Sequence, residues 1–286
     1  ETDTPQVEDE EETDSPLPTR TTEEDDGRLF RICEVAFCLL LFTASLVVEY
    51  VAMPQTKLPI PVKVIGDETT TTSTFVRNLM YDEELGEESV GDEVLIVVGL
   101  VLPLLAQLAM ATWCTTRYRH AFDRYNTFCS YFMAFSMTFL IVNVMKLYCG
   151  SLRPHFYEVC QPDESYQFCT NEDEQQNLIR GIRDSFPSGH AGLALSGLGS
   201  FSLYLNRRFG VGSLVVSSNN SRDKANSRDH QIARVWSLIS VLPVLLALYM
   251  GVSRIYDNYH HPVDIVGGAA IGGVAAYFCH HVWFLE

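Results

Sequence analysis

The sequence is poor in basic residues: Lys and Arg together number 20 against 36 Asp and Glu, for a net charge of −16. A chain so balanced offers no positive stripe to a phosphodiester backbone, so nucleic acid is not expected as a partner. It also lacks a CxxC pair or any His/Cys spacing typical of a metal centre, so no metal is expected. The start has no signal-peptide shape. It does not begin with Met, which reads as a fragment or a processed form. Much of the acidity is local: residues 1–28 hold twelve acids against two arginines, and are expected to form a disordered tail on the cytoplasmic side.

Long apolar runs, by contrast, are abundant. They fall at about 32–53, 94–114, 127–148, 188–205, 236–252 and 263–285, and five of the six approach the roughly 20 residues needed to cross a bilayer. The fourth, AGLALSGLGSFSLYL, is short and rich in Ser and Gly. It reads as a span buried inside a bundle, with a re-entrant segment as its alternative. The expected fold is therefore an all-α integral membrane protein, a six-transmembrane-helix bundle occupying residues 29–286. Basic residues concentrate in TTRYRHAFDR and in the loop with Arg207, Arg208, Arg222, Lys224, Arg228 and Arg234, which places both loops and both termini in the cytoplasm. The sequon at Asn219 falls in that second loop and is expected to be unused. Of the eight cysteines, Cys149, Cys160 and Cys169 fall on the opposite side, where disulfides persist. A Cys160–Cys169 bridge is preferred, with Cys149 as a competitor.

Three polar clusters share that opposite side. KLYCGSLRP carries Lys146 and Arg153; SFPSGHAGLA carries Ser188, Gly189 and His190; SRIYDNYHHPVD carries Arg254, His260 and Asp264. Ionisable groups at membrane level are functional hypotheses by default. Three cations without acidic partners in their own motifs suit phosphate oxygens. PSGH would start a helix whose free N–H groups favour an anion, with Gly189 allowing close approach. Pro262 would start a second helix at the same place. Asp264, four residues after His260, can orient that imidazole as a nucleophile, which selects His260 over His261, and His190 can serve as general acid. Singly, each residue reads as an interfacial anchor or a snorkelling side chain; jointly they describe a phosphate pocket.

The pattern Lys146-x6-Arg153-Pro154, Pro187-Ser188-Gly189-His190, Ser253-Arg254-x5-His260-x3-Asp264 resembles the three-part signature of the type 2 phosphatidic acid phosphatase superfamily. LRPHF and SRIYDNYHHPVDIVGG look most like its lipid phosphate phosphatase branch, over roughly residues 30–286. The resemblance implies a Mg²⁺-independent membrane phosphatase without a cofactor, with its site facing the extracellular space or a lumen. It implies substrates such as phosphatidate, lysophosphatidate, sphingosine 1-phosphate and ceramide 1-phosphate, drawn from the surrounding bilayer. By motif position, His260 would form a phosphohistidine, Asp264 would orient it and His190 would act as acid. Lys146, Arg153, Ser188, Gly189 and Arg254 would bind phosphate. The plasma membrane is the expected location, with Golgi or ER as alternatives, and a homo-oligomer is compatible. A polyprenyl diphosphate phosphatase is the rival within the superfamily, and a non-catalytic scaffold or lipid transporter the rival outside it.

The remaining segments show less chemistry. Residues 171–186 read as an amphipathic helix at the outer surface. Residues 54–93 read as a solvated acidic loop. GGAAIGG at 267–273 offers close helix packing, and Pro103 and Pro243 are expected to kink their spans.

Overall fold

The computed structural model describes residues 20–51, 59–65, 74–113, 124–166, 169–170, 181–210 and 227–284. Helix α1 (Arg20–Val51) begins inside the acidic segment, and residues 1–19 lie outside the described residues. A two-stranded antiparallel hairpin follows, β1 (Val62–Ile65) on β2 (Thr74–Arg77), with Val62 opposite Arg77. This corrects the all-α expectation locally: Val, Ile and Phe in short alternating runs favour a strand pair.

The second apolar run is three-part. It comprises α2 (Asp92–Val94), a π-helical stretch Leu95–Val101, and α3 (Leu102–Trp113). Pro103 sits at the join, where the Leu102 N–H reaches back to Val97 O and the wider turn accommodates the ring. Next come α4 (Arg124–Cys149), a short α5 (Phe156–Cys160), α6 (Gly189–Phe209), α7 (Ser227–Ile239), α8 (Leu242–Tyr256) and α9 (Pro262–Phe284). Pro243 lies in the first turn of α8, so the proline follows a two-residue break instead of bending a continuous helix.

Five stretches are long and apolar enough to cross a membrane: Leu29–Tyr50, Asp92–Thr112, Arg124–Cys149, Arg228–Tyr256 and Pro262–Phe284. Helix α6 is as long, at 21 residues, but its Ser and Gly content keeps it out of that group. It runs through the middle of the bundle, packed on α9, α8, α4 and the π-helical stretch. Small residues are what allow this. A Cβ on Gly272 would stand 2.0 Å from Gly192 O, one on Gly268 2.2 Å from Ser188 O, and one on Gly197 2.2 Å from Gly99 O. Backbones thus touch directly along α6. Large apolar side chains such as Leu39, Val47, Leu105, Leu245, Val266 and Val274 point outward instead, as a lipid solvent permits.

Above one end of the bundle, Ile60, Leu152, Phe156, Tyr157, Cys160, Cys169 and Ile182 form a separate apolar cluster. A disulfide joins Cys160 to Cys169 there, and Cys149 is free. The expected helix over 171–186 falls largely outside the described residues, as does the Asn219 sequon.

Gly272→Ala is expected to push α9 off α6, because backbone oxygen cannot rotate away. Overpacking of this kind costs about 1–3 kcal/mol. Gly181→Ala is the control, since nothing lies within 4 Å of its added Cβ. Thermal unfolding in detergent should separate the two variants, and equal melting temperatures would contradict the contact.

Candidate active site

The polar residues singled out by the sequence gather where α4 and α8 end and where α6 and α9 begin. Ser188 is the N-cap of α6, its Oγ accepting the Ala191 N–H at 3.4 Å. Helix geometry leaves the Gly189 and His190 N–H groups without intrahelical acceptors. Lys146, in the last turn of α4, brings its Nζ within 3.8 Å of the position a Gly189 Cβ would take. An ammonium therefore stands over the positive end of a helix, an arrangement that only an anion relieves.

Helix α9 is capped by its own acid. His261 precedes Pro262, and Asp264 reaches back so that Oδ2 accepts the His261 backbone N–H at 2.8 Å. The Asp264 carbonyl in turn accepts the Ser188 N–H at 3.0 Å, which ties the start of α9 to the start of α6. His260 is 4% exposed and Asp264 fully buried. Their nearest approach, Nδ1 to Oδ2, is 3.6 Å, and His261 Nδ1 lies at the same distance from that oxygen. That is too long for a direct hydrogen bond. The i,i+4 spacing therefore does not by itself separate His260 from His261. Surroundings do: the His261 ring is edge-on to Tyr81, with Nε2 3.3 Å from Met80 O.

Burial presses His260 down to about 3, with the Arg153 and Lys146 charges adding to the effect and Asp264 opposing it. The ring is consequently neutral, and the two cations are close enough to act on it. His261 moves the other way, raised chiefly by its contact with Asp264. Arg153 is lowered by burial and by the neighbouring Arg254, as expected for cations crowded together without full compensation.

Arg254 is 2% exposed and is held from one side. Its Nη1 donates to Val90 O and its Nη2 to Glu88 Oε1, both at 2.9 Å. The segment supplying these acceptors is anchored by Asp257, which takes the Ser89 N–H at 2.9 Å and the Ser89 hydroxyl at 2.6 Å. Gly86 N–H also donates to Asp257 O, and Asn258 Nδ2 to Glu84 O. Tyr259 packs against both guanidiniums, with Arg254 3.9 Å and Arg153 5.7 Å from its ring centre. His155, beside Arg153, is buried and lowered by that burial, with Nδ1 2.8 Å from Asn258 O. His190 Nε2 is 3.4 Å from Asp92 Oδ1. Three buried nitrogens, Arg153 Nε, Arg254 Nε and His190 Nε2, make no hydrogen bond among the described residues.

All eight site residues expected from the sequence thus lie at one end of the bundle, on four helix ends and two loops. What sequence reasoning missed is the segment 82–92. It was read as a solvated loop, yet Glu88, Ser89, Val90 and Asp92 wall the site. The acidic character that suggested solvent is what pairs with Arg254. Ser185 was also passed over; its Oγ donates to Asp264 Oδ2 at 2.5 Å.

Residues 127–286 match the PAP2 superfamily. Among curated proteins, the chain is 30% identical to lipid phosphate phosphatase 2 of Arabidopsis thaliana, covering 64% of this chain and 60% of that protein. It is 28% identical to diacylglycerol pyrophosphate phosphatase 1 of Saccharomyces cerevisiae, covering 67% and 63% respectively. Lipid phosphate phosphatase 1 of Arabidopsis thaliana is 28% identical over 66% of this chain and 53% of its own length. The chain therefore spans less than two thirds of each of these relatives. No solved structure matches. The match begins at α4, so segment 82–92 lies outside it, while Lys146 and every later site residue lie within. With more than half its length matched and all three motif segments gathered at one end of the bundle, the chain belongs to the PAP2 superfamily, and the relatives named here fit its lipid phosphate phosphatase branch.

Proposed function

We propose that the protein hydrolyses phosphate monoesters of membrane lipids through a phosphohistidine. The observation that carries this reading is the pair of buried guanidinium nitrogens, Arg153 Nε and Arg254 Nε, that make no hydrogen bond among the described residues, beside His190 Nε2, which has only Asp92 Oδ1 at 3.4 Å. Buried donors without acceptors are destabilising in isolation. A phosphoryl group with three oxygens can satisfy donors of this kind, and Lys146 with the start of α6 adds further positive potential.

In this mechanism His260 Nδ1 faces Asp264 and Ser185, which leaves Nε2 as the nucleophile. Its lone pair forms a bond to phosphorus while the bond to the lipid oxygen breaks. His190 gives its proton to that oxygen, and the lipid alcohol leaves. The neutral His190 then takes a proton from water as the water oxygen attacks phosphorus, the P–N bond breaks, and inorganic phosphate departs. Lys146, Arg153 and Arg254 stabilise the equatorial oxygens, with Ser188 and Gly189 forming the helix start that receives them. Neutral His260 is ready to attack without first losing a proton.

In the proposed membrane arrangement α6 is a sixth span, shielded from lipid by its neighbours, and residues 29–286 form one catalytic domain. The site then faces the extracellular space or a lumen, with both termini cytoplasmic. The plasma membrane is favoured over Golgi or ER. Substrates in this reading are phosphatidate, lysophosphatidate, sphingosine 1-phosphate and ceramide 1-phosphate. A lipid diphosphate is the second reading, favoured by similarity to the yeast protein named for diacylglycerol pyrophosphate.

Purified protein in detergent with chelator is expected to release phosphate from this panel and to be inhibited by vanadate. His190→Ala should lower kcat by about 10²–10⁴-fold, and His260→Ala should abolish an acid-quenched phosphoenzyme; normal turnover in His260→Ala would end the nucleophile assignment. The neutral ring also has a signature in stability. An unfolded-chain value of 6.5 and a folded value of about 3 mean that this contribution is complete above pH 6.5 and is lost as pH falls toward 3. Melting temperature should therefore fall more steeply with acid in the wild type than in His260→Asn, and parallel curves would refute it.

A further inference from the structure

Ser185 touches all three motif segments. Its backbone N–H donates to Ser151 O at 3.0 Å, in the loop between Lys146 and Arg153. It lies two residues before the Pro187–His190 stretch. Its hydroxyl reaches Asp264 Oδ2 at 2.5 Å and lies 3.5 Å from His260 Nδ1. The side chain is fully buried.

The hydroxyl has one proton and lone pairs to spare. The short contact to a carboxylate uses the proton, so only lone pairs remain toward His260. The contact is favourable only when Nδ1 carries the ring proton, which leaves the Nε2 lone pair free. Asp264 does not do this alone. Its Oδ2 stands 3.6 Å from Nδ1 and already accepts the His261 N–H, while Oδ1 is buried with no hydrogen-bond partner among the described residues. Without the hydroxyl the carboxylate loses one of the two donors that hold Oδ2, and the imidazole loses its nearest acceptor.

We infer that Ser185 is a positioning residue, whose hydroxyl orients Asp264 and fixes the tautomer of His260. The catalytic consequence rests on the phosphatase reading above; the tautomer consequence does not. Ser185→Ala removes the hydroxyl and leaves the backbone bond to Ser151 intact, so folding should be preserved.

Two measurements test it. In turnover assays on lysophosphatidate, Ser185→Ala should lower kcat by about 10- to 100-fold, the size of a hydrogen bond to a charged group, with KM within about twofold. The same substitution in an Asp264→Asn background should add little, since both act on one unit. Undiminished kcat in Ser185→Ala, or an equal loss in both backgrounds, overturns the inference. In ¹⁵N-histidine spectra of the wild-type protein in detergent, the His260 signal, identified by its loss in His260→Asn, should report a proton on Nδ1. Ser185→Ala should shift it toward a tautomer mixture. An unchanged spectrum overturns the inference even if no lipid phosphate proves to be a substrate, whereas wild-type inactivity beside the expected spectral shift defeats only the phosphatase reading.

Discussion

The direct contact of two helix backbones sets the geometry on which the site depends. Gly268 and Gly272 let α9 lie against Ser188 O and Gly192 O of α6, and the Ser188 N–H closes onto the Asp264 carbonyl at 3.0 Å. A side chain at either glycine would push apart two helix starts that meet over hydrogen-bond distance. The two helix starts meet because nothing stands between them. Ser188 and Asp264 each cap their own helix with the side chain and join the other's with the backbone, so local helix chemistry and tertiary contact are satisfied by the same two residues.

Charge imposes the second constraint. Arg254 is buried to 2% exposure, and a guanidinium so placed needs acceptors. The segment 82–92 supplies them through Val90 O and Glu88, and Asp257 holds that segment through Ser89. Among the described residues, Arg254 Nε, like Arg153 Nε, is left without a hydrogen-bond partner. Positive charge around these nitrogens is thus only partly compensated by the acceptors described here. Tyr259, packed against both guanidiniums, spreads some of that charge over its ring face without offering a competing carboxylate.

The chemistry was legible in the sequence because it requires particular side chains at fixed intervals from helix ends. Lys146, Arg153, His190, Arg254 and His260 announce themselves as ionisable groups beside apolar runs. Helix α6 was legible only as an anomaly: its small residues answer to neighbouring backbone, so its hydropathy understates its burial. Segment 82–92 was hidden for the opposite reason. Glu88 is separated from Arg254 by 166 positions, and nothing in DEELGEESVGDE distinguishes a counter-ion from a solvated acid. Ser185 was hidden because a serine before a proline has many uses, and only three-dimensional placement reveals the bond to Asp264. The His260–Asp264 spacing suggested a direct bond, and the structure puts a hydroxyl beside a 3.6 Å gap.

The serine and glycine surface of α6 has a consequence for biogenesis. A segment this polar gains little from hydrocarbon on its own, so the helices packed around it are what hold it in the bundle. Gly268 and Gly272, which it meets at Ser188 and Gly192, lie on α9, later in the chain with α7 and α8 between. The start of α6 thus cannot be clamped until α9 has been made. A chain that stops before α9 holds Lys146 and His190 but not the helix start that closes onto Ser188, and the candidate site is assembled only once Asp264 is in place.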